Sequence, residues 1–410
     1  MKRLSSFLVE DKNTHMEHIE DNILNAGIEG TRQSINYLRA LRDMLAGDTK
    51  APVNVTVKWD GAPAIFCGQD PSDGKFFVAK KGIFNKNPKI YKTAAEVDED
   101  TSGDLADKLK DALQYLPELG IKGVIQGDFL YSSGDLNKET IDGDKFVTFH
   151  PNTIVYAVPN NSTAARDITK SKIGIVWHTT YKGKNFEDMK ASYGVNTSKF
   201  KKSKNVWSQD AMLRDMTNVT MSAKDTKDVT KLLSDCGKLF TTISGTTLRQ
   251  LEANQLLAQH IEQYNNTFVR KGQVIKDTTR HTAGLIRWID NRYKAEKAKM
   301  KTDRGKASRQ KKLDDLLAFF SPTNRTNLIR MFELQKLIVL AKLKLINSLN
   351  KLSNTKTFVK TKNGYTTTGE EGYVAIDKLG GDAVKIVDRM EFSYNNFSPD
   401  ILKGWDKPGR

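Results

Sequence analysis

Two textures alternate along this chain, and their order most restricts what it can fold into. Residues 53–193 are short β-branched and aromatic runs separated by Gly, Asp, Asn and Pro: VNVTVKW, APAIFCG, KFFVAKK, GVIQGDFLY, KFVTFHP, TIVYAVP and KIGIVWHTTY. One helical segment, SGDLADKLKDALQYLPELG, interrupts them. After the polar, lysine-rich stretch 196–205, residues up to about 353 are periodic at helical spacing, as in NLIRMFELQKLIVLAKLKLINSLNKL. Strand texture returns at Thr357 with FVKTKNGYTTTGEEGYVAIDKLGGDAVKIVDR. A strand domain that stops and resumes predicts an antiparallel-rich α+β fold interrupted by a long all-α insertion.

The expected divisions are a helical segment over 1–50, the first part of the strand domain over 51–195, a basic helical insertion over 196–355 and the last part of the strand domain over 356–410. In the first of these, Ile19, Ile23, Leu24 and Ile28, then Ile35, Leu38, Leu41 and Leu45, follow helical spacing, with Gly27 and Gly30 marking a break. The polar stretch 196–205 reads as a hinge.

A chain of 410 residues is long enough for more than one folding unit, each with a real core. No uninterrupted apolar run approaches bilayer-spanning length, and the N-terminus has no apolar core of a secretion signal, so a cytoplasmic protein is expected. Cys67 and Cys236 stand far apart without a CxxC partner, which excludes a disulfide framework and reads as two buried free thiols. The net charge of +16 predicts attraction to polyanions, nucleic acid first. That charge is densest over 292–312, RYKAEKAKMKTDRGKASRQKK, where Lys294, Lys297, Lys301, Arg304, Arg309, Lys311 and Lys312 are candidate phosphate contacts.

A catalytic lysine must be neutral to attack, which needs a dry site or neighbouring cations. Lys58 ends an alternating run in which Val53, Val55, Val57 and Trp59 share one face, so its side chain is expected on the other, where a pocket could lie. Asp60 and Gly61 follow as a tight turn that would let the backbone approach a ligand. By itself the pattern is common in a lysine-rich chain. His15 and His18, three apart on a helix, read as surface residues, and His150 as the end of a strand. The pieces IDGDK and KLGGDA read as hairpin turns. Trp177 and Trp207 fit either core or stacking platforms.

The run VKWDGAPAIFCGQDPSDGKFFVAKKGIF resembles the first motif of covalent nucleotidyltransferases, the DNA ligases, RNA ligases and mRNA capping enzymes, and most closely that of phage-type RNA ligases. Lys81-Gly82 then matches their Lys-Gly dipeptide after the hairpin, GVIQGDFLY resembles their third motif through Asp128, and NTIVYAV resembles the next strand, with Tyr156 near the base. The segment EEGYVAIDKLGGDAVKIVDR resembles the fourth and fifth motifs, with Glu371 and Lys385 in the functional places. The whole chain also resembles proteins of large tailed phages.

The resemblance implies an antiparallel nucleotidyltransferase (ATP-grasp-like ligase) domain, ATP and Mg2+ as cofactors, and a lysyl-AMP intermediate on Lys58. It implies nucleotide contacts from Asp60, Gly61, Lys81, Asp128, Tyr156, Glu371 and Lys385, and a metal ion held by Asp128 and Glu371. The partner implied is RNA or DNA with 5′-phosphate and 3′-hydroxyl ends, RNA being favoured because Pro63 stands where many DNA ligases have arginine. One departure matters: the family usually carries a second lysine two residues after the first in the fifth motif, and here that place is Val387. Arg389 or a lysine of the insertion is the expected substitute. The competing readings are a nucleic-acid-binding protein that keeps the scaffold without catalysis and a virion structural protein.

Overall fold

The computed structural model describes residues 16, 18–48, 50–213, 220–352, 355–377 and 383–405. His15 and the KLGG turn after Asp377 therefore lie outside the described residues. The chain opens with α1 (Asn22–Asn25) and α2 (Gly27–Leu45), then β1 (Val53–Lys58), β2 (Ala64–Gln69), β3 (Phe76–Ala79) and β4 (Ile90–Tyr91). There follow α3 (Ala94–Asp100), α4 (Gly103–Tyr115), β5 (Val124–Ser132), β6 (Asn137–Ile141), β7 (Asp144–Phe149), β8 (Ile154–Pro159) and α5 (Thr163–Lys170). Next come β9 (Ile173–Lys182), β10 (Lys190–Tyr193) and β11 (Val206–Asp210), then α6 (Ala223–Phe240), α7 (Gly245–Glu252), α8 (Gln255–Arg270), α9 (Thr278–Ala298), α10 (Asp303–Leu317) and α11 (Pro322–Leu349). The chain closes with β12 (Lys356–Thr361), β13 (Gly364–Thr367), β14 (Gly372–Asp377), β15 (Ala383–Ile386), α12 (Arg389–Phe397) and β16 (Ile401–Leu402).

Strands before and after the helical stretch pair with one another. One sheet runs β1-β14-β15, a second β10-β9-β5-β2-β3-β4 with β11 against β9, and a third β13-β12-β8-β7-β6 with β16 against β12. All these pairs are antiparallel except β11 with β9. The fold is therefore α+β with antiparallel sheets and a long helical region. The segment after β11 joins two sheets: Ala211 N donates to Trp177 O at 2.8 Å, while Val57 N donates to Ala211 O at 2.9 Å.

Most helices of the helical region start with a side-chain cap, α7 being an exception. Ser222, Asn254, Asp277, Thr302 and Ser321 each accept a first-turn backbone N–H, and Pro322 follows where its missing N–H costs nothing. The longest helix, α11, spans roughly 42 Å and buries Leu328, Phe332, Ile338, Ala341 and Leu345.

Two expectations change. The polar stretch 196–205 is not a hinge between bodies, because β11 continues the second sheet beyond it. Nor is the helical region a separate module. Its core is continuous with Leu38 and Leu41 of α2, Val53 and Val55 of β1, Tyr373 and Ala375 of β14 and Ile386 of β15. The apolar face of the three-stranded sheet is the floor on which the helices pack. Trp59 also departs from its expected face, joining Tyr156 and Phe149 in a different cluster. Short polar strands such as β6, β10 and β11 lack the apolar alternation that marks strands in sequence. Trp177 is fully buried core, Trp207 packs partly against Tyr131, and both cysteines are buried.

A buried ionic junction ties three distant parts of the chain. Lys342 on α11 donates to both carboxylate oxygens of Glu20 at 2.7 and 2.8 Å, with 1% and 5% of the two side chains exposed. Beside them Arg389, opening α12, donates to Asp21 at 2.8 Å. Gln335 of α11 completes the junction by donating to Asp21 and to the Glu20 carbonyl. His18 sits here, half-buried rather than on the surface, and burial holds its ring near 3 and therefore uncharged. Removing one partner of such a pair strands a charge in a dry site. We expect Lys342→Met to cost about 3–5 kcal/mol of stability, and adding Glu20→Gln to recover most of it. Denaturant unfolding followed by circular dichroism checks both, and a single variant as stable as the parent would show that the pair is not structural.

Candidate functional site

Alternation along β1 puts Val53 and Val55 into the helical core and turns Lys58 to the opposite face of the sheet. Lys58 pairs in register with Gly372, and Thr56 with Val374, which in turn pairs with Lys385. Lys58 and Lys385 therefore occupy the same sheet face, on the two outer strands. Gly372 has no side chain to cover its partner, and the residue before it, Glu371, makes an ion pair with the Lys58 ammonium. The lysine side chain is 30% exposed and the glutamate 9%, so Lys58 is the open member of the pair.

The second carboxylate comes from β5. Asp128 pairs with Ala64 on one side and Val176 on the other, next to a register shift between Gln126 and Gly127. Gly61 rests directly on it: a Cβ there would fall 2.5 Å from the Asp128 Cβ and 2.9 Å from the Phe129 carbonyl oxygen. The close backbone approach expected of Gly61 is thus to Asp128. His178 of β9 lies beside it, its Nε2 3.7 Å from the Asp128 carboxylate and its Nδ1 2.7 Å from the Thr179 hydroxyl. Sequence reasoning passed over His178, whose only signal was a polar residue in an otherwise buried strand.

Electrostatics bind these groups into one site. Burial pushes the carboxyls of Asp128 and Glu371 up to about 7, with Lys58 opposing the shift in both. Burial, then the Lys58 charge, pushes the His178 ring down to about 4, so it stays neutral near pH 7. One cation thus faces two buried carboxylates whose ionisation is costly.

The other expected residues are engaged in different ways. Asp60 is not open to a nucleotide: its carboxylate accepts from Asn152 Nδ2 at 2.7 Å, Thr153 N at 2.7 Å and Ile154 N at 2.9 Å. It fastens the loop after Lys58 to the β7–β8 turn. Tyr156 is not beside a base either, being fully buried between the Trp59 and Phe149 rings, with its hydroxyl accepting from Asp60 N at 2.7 Å. Lys81 is exposed just past β3, whose Ala79 pairs with Phe66. Lys385 is half-buried beside His18, and its carbonyl accepts from Ile19 N at 3.3 Å. Val387 is 1% exposed and its methyl would lie 2.4 Å from a Cβ at Gly372, so a lysine at this position would point into packed chain. Arg389 is no substitute, because the ionic junction holds it.

Among the described residues no group of three or more His, Cys, Asp or Glu side chains is arranged to hold a metal ion. Asp128 and Glu371 nevertheless form a hard-oxygen donor pair, which suits magnesium, an ion that keeps several waters and takes one or two carboxylates plus substrate phosphates. A cavity beside Glu371, lined by Asp60, Glu370, Asp388, Glu391 and Asn395, measures about 10 Å³ and admits no more than a water. Larger grooves of about 180 and 390 Å³ lie by Pro63 and His150 and by Lys360 and Tyr365, and Lys58 lines neither.

The basic candidates of the insertion all fall on the α9–α10 hairpin. Lys294 is paired with Asp290 at 2.7 Å, Lys297 with Gln310 at 2.9 Å and Arg309 with Glu296 at 3.0 Å. Lys301, Arg304, Lys311 and Lys312 are exposed.

No helix among the described residues is long and apolar enough to cross a membrane. No curated protein and no solved structure matches the chain. A model described as a family of unknown function (DUF6267) matches residues 13–400, most of the chain, which therefore belongs to that family.

Proposed function

We propose that the chain is an ATP-dependent nucleotidyltransferase of the polynucleotide ligase kind, RNA being the favoured substrate, that acts through a lysyl-AMP intermediate on Lys58. The observation that supports this reading is the pairing of the open Lys58 ammonium with Glu371, with the buried Asp128 carboxyl near enough to feel its charge. A lysine set for nucleophilic attack needs a dry, fixed position and a proton acceptor in contact, and Glu371 offers the second. In the first step the Lys58 amine attacks the α-phosphorus of ATP, a P–N bond forms, the α–β P–O bond breaks and pyrophosphate leaves. The Glu371 carboxylate takes one proton from the Lys58 ammonium to free the attacking amine, and the proton that the nitrogen loses as the P–N bond forms goes to water. Lys385, on the same sheet face, is the cation for the α-phosphate. Asp128 and Glu371 would hold magnesium, which when bound neutralises charge on the phosphoryl oxygens. AMP then passes to a 5′-phosphate, and a 3′-hydroxyl displaces it as the strand is sealed.

A second reading, a nucleic-acid-binding protein without catalysis, is favoured by one feature. Val387 is packed where the resemblance calls for a phosphate lysine, and Arg389 is held elsewhere.

Incubation with α-labelled ATP and magnesium separates the two. We expect label on the protein that survives denaturation, its loss in Lys58→Ala and on chelation of magnesium, and a fall of at least about 100-fold in Glu371→Ala. Label that persists in Lys58→Ala sinks the assignment, and an unlabelled parent favours the second reading. Asp60 is expected to behave differently from Lys58. Asp60→Ala leaves two buried backbone N–H groups without their acceptor, so about 2–4 kcal/mol of stability should go, with labelling falling as the loop loosens. Thermal unfolding checks this, and an unchanged melting temperature would refute the anchoring role.

A further inference from the structure

The α9–α10 hairpin reaches out of the body of the protein. The last fully buried side chain of α9 is Tyr293 and the first of α10 is Leu313, so nothing between them belongs to the core. Along α10 this free length is roughly 15 Å. Residues 294–312 carry nine Lys or Arg against two acids. Local partners hold some of these cations: Lys294, Lys297 and Arg309 as above, and Lys306 with Asp303 at 3.7 Å. The remaining five, Lys299, Lys301, Arg304, Lys311 and Lys312, are exposed, and among the described residues no ion pair or hydrogen bond engages their side chains. Arg304 and Lys311, two helical turns apart, share the side of α10 opposite buried Leu313 and Leu316, about 10 Å from one another.

The chemistry of this tip narrows what it fits. A protein partner would call for buried aromatic or aliphatic anchors, and no exposed large apolar side chain lies in this stretch. Single strands are gripped by stacking bases on aromatic rings, and residues 294–312 contain no aromatic residue. What remains is a rigid ridge of unpaired cations, which suits the regular phosphate rows of a duplex.

We propose that the tip of the α9–α10 hairpin is a docking surface for the sugar-phosphate backbone of duplex nucleic acid, gripped by Lys299, Lys301, Arg304, Lys311 and Lys312. The remaining cations of the hairpin brace it. The proposal rests on the reading of Lys58 only for the use to which the bound duplex is put.

The test measures binding of the full chain to a 25-base-pair RNA duplex, the same DNA duplex, each single strand and poly-glutamate, by fluorescence anisotropy across a salt series. Neutralising the five residues to Gln should weaken duplex binding at least about 30-fold near 0.1 M salt and flatten the log–log salt slope by roughly 3 to 4. A control of equal charge change, Lys122, Lys138, Lys170, Lys184 and Lys227 to Gln, should keep both near the parent. Tighter RNA than DNA duplex binding with the same five-residue loss identifies RNA as the source of the phosphates, and the reverse identifies DNA. Equal losses in the control, unchanged binding in the five-residue variant, or tighter binding to single strands or poly-glutamate than to either duplex overturns the proposal. Labelling by ATP without nucleic acid should be the same in the parent and the five-residue variant, while Lys58→Ala should bind duplex normally. Intact labelling with failed duplex binding removes this proposal alone, and intact binding with failed labelling removes the nucleotidyl-transfer reading alone.

Discussion

The register of β1 against β14 is the constraint on which the rest of the structure depends. It joins residues roughly 300 positions apart, with Lys58 opposite Gly372 and Val53 opposite Asp377. Closing a loop of that length costs about 5 kcal/mol beyond a constant, so the pairing needs support from elsewhere. The support is double. One face of the sheet is the floor of the helical core, through Val55, Tyr373, Ala375 and Ile386. At its edge the Glu20–Lys342 and Asp21–Arg389 pairs clamp the N-terminal segment, α11 and the start of α12 together. A slip of one residue would turn Val55 out of that core and Lys58 into it, so apolar burial fixes where the lysine points.

Once the register is set, the loop after Lys58 has little freedom. Asp60 spends its carboxylate on the amides of Thr153 and Ile154 and on Asn152, and Gly61 admits Asp128 where any side chain would collide. The result is a lysine paired with the carboxylate that precedes β14 and within electrostatic reach of a second on β5, which has a neutral histidine beside it. Two buried acids facing one cation are under-neutralised, and a site in that state gains from any further positive charge brought with a ligand. Arg389 does not fill this role, although it lies only four residues after Lys385.

Much of the plan was legible in the sequence, for identifiable reasons. Alternating valines in β1 reported which way Lys58 faces, because burial and strand period are coupled. The return of strand texture after the helices reported that the strands would pair across them. What the sequence withheld was the engagement of individual groups. Asp60 and Tyr156 have the right residue types for a nucleotide site, yet the first has its lone pairs taken by backbone amides and the second lies wholly in the core. His178 went unnoticed because it is the extra residue at an irregularity of β9, between the partners of Gln126 and Gly127, which no residue pattern announces. The stretch 196–205 looked like a linker because polar composition marks exposure, and an exposed connection between two strands of one sheet has the same composition as a linker between domains.

The distribution of charge separates the hairpin from the rest of the molecule. Inside the body, cations are matched to acids: Lys342 to Glu20, Arg389 to Asp21, Lys58 to Glu371. On the hairpin, nine cations and two acids in residues 294–312 make up close to half of the chain's surplus of +16. A helix face that merely needs to be soluble gains from interleaved opposite charges three or four residues apart. On α10 that gain is confined to the far end, where Asp314 and Asp315 follow Lys311 and Lys312 at such spacings, whereas Arg304 nearer the tip has no acid three or four residues away. The helix stands because Thr302 caps it and Leu313 and Leu316 hold its far end. Like charges kept exposed on a braced helix are a standing electrostatic cost in the free protein, and a polyanion laid along them turns the same charges into attraction.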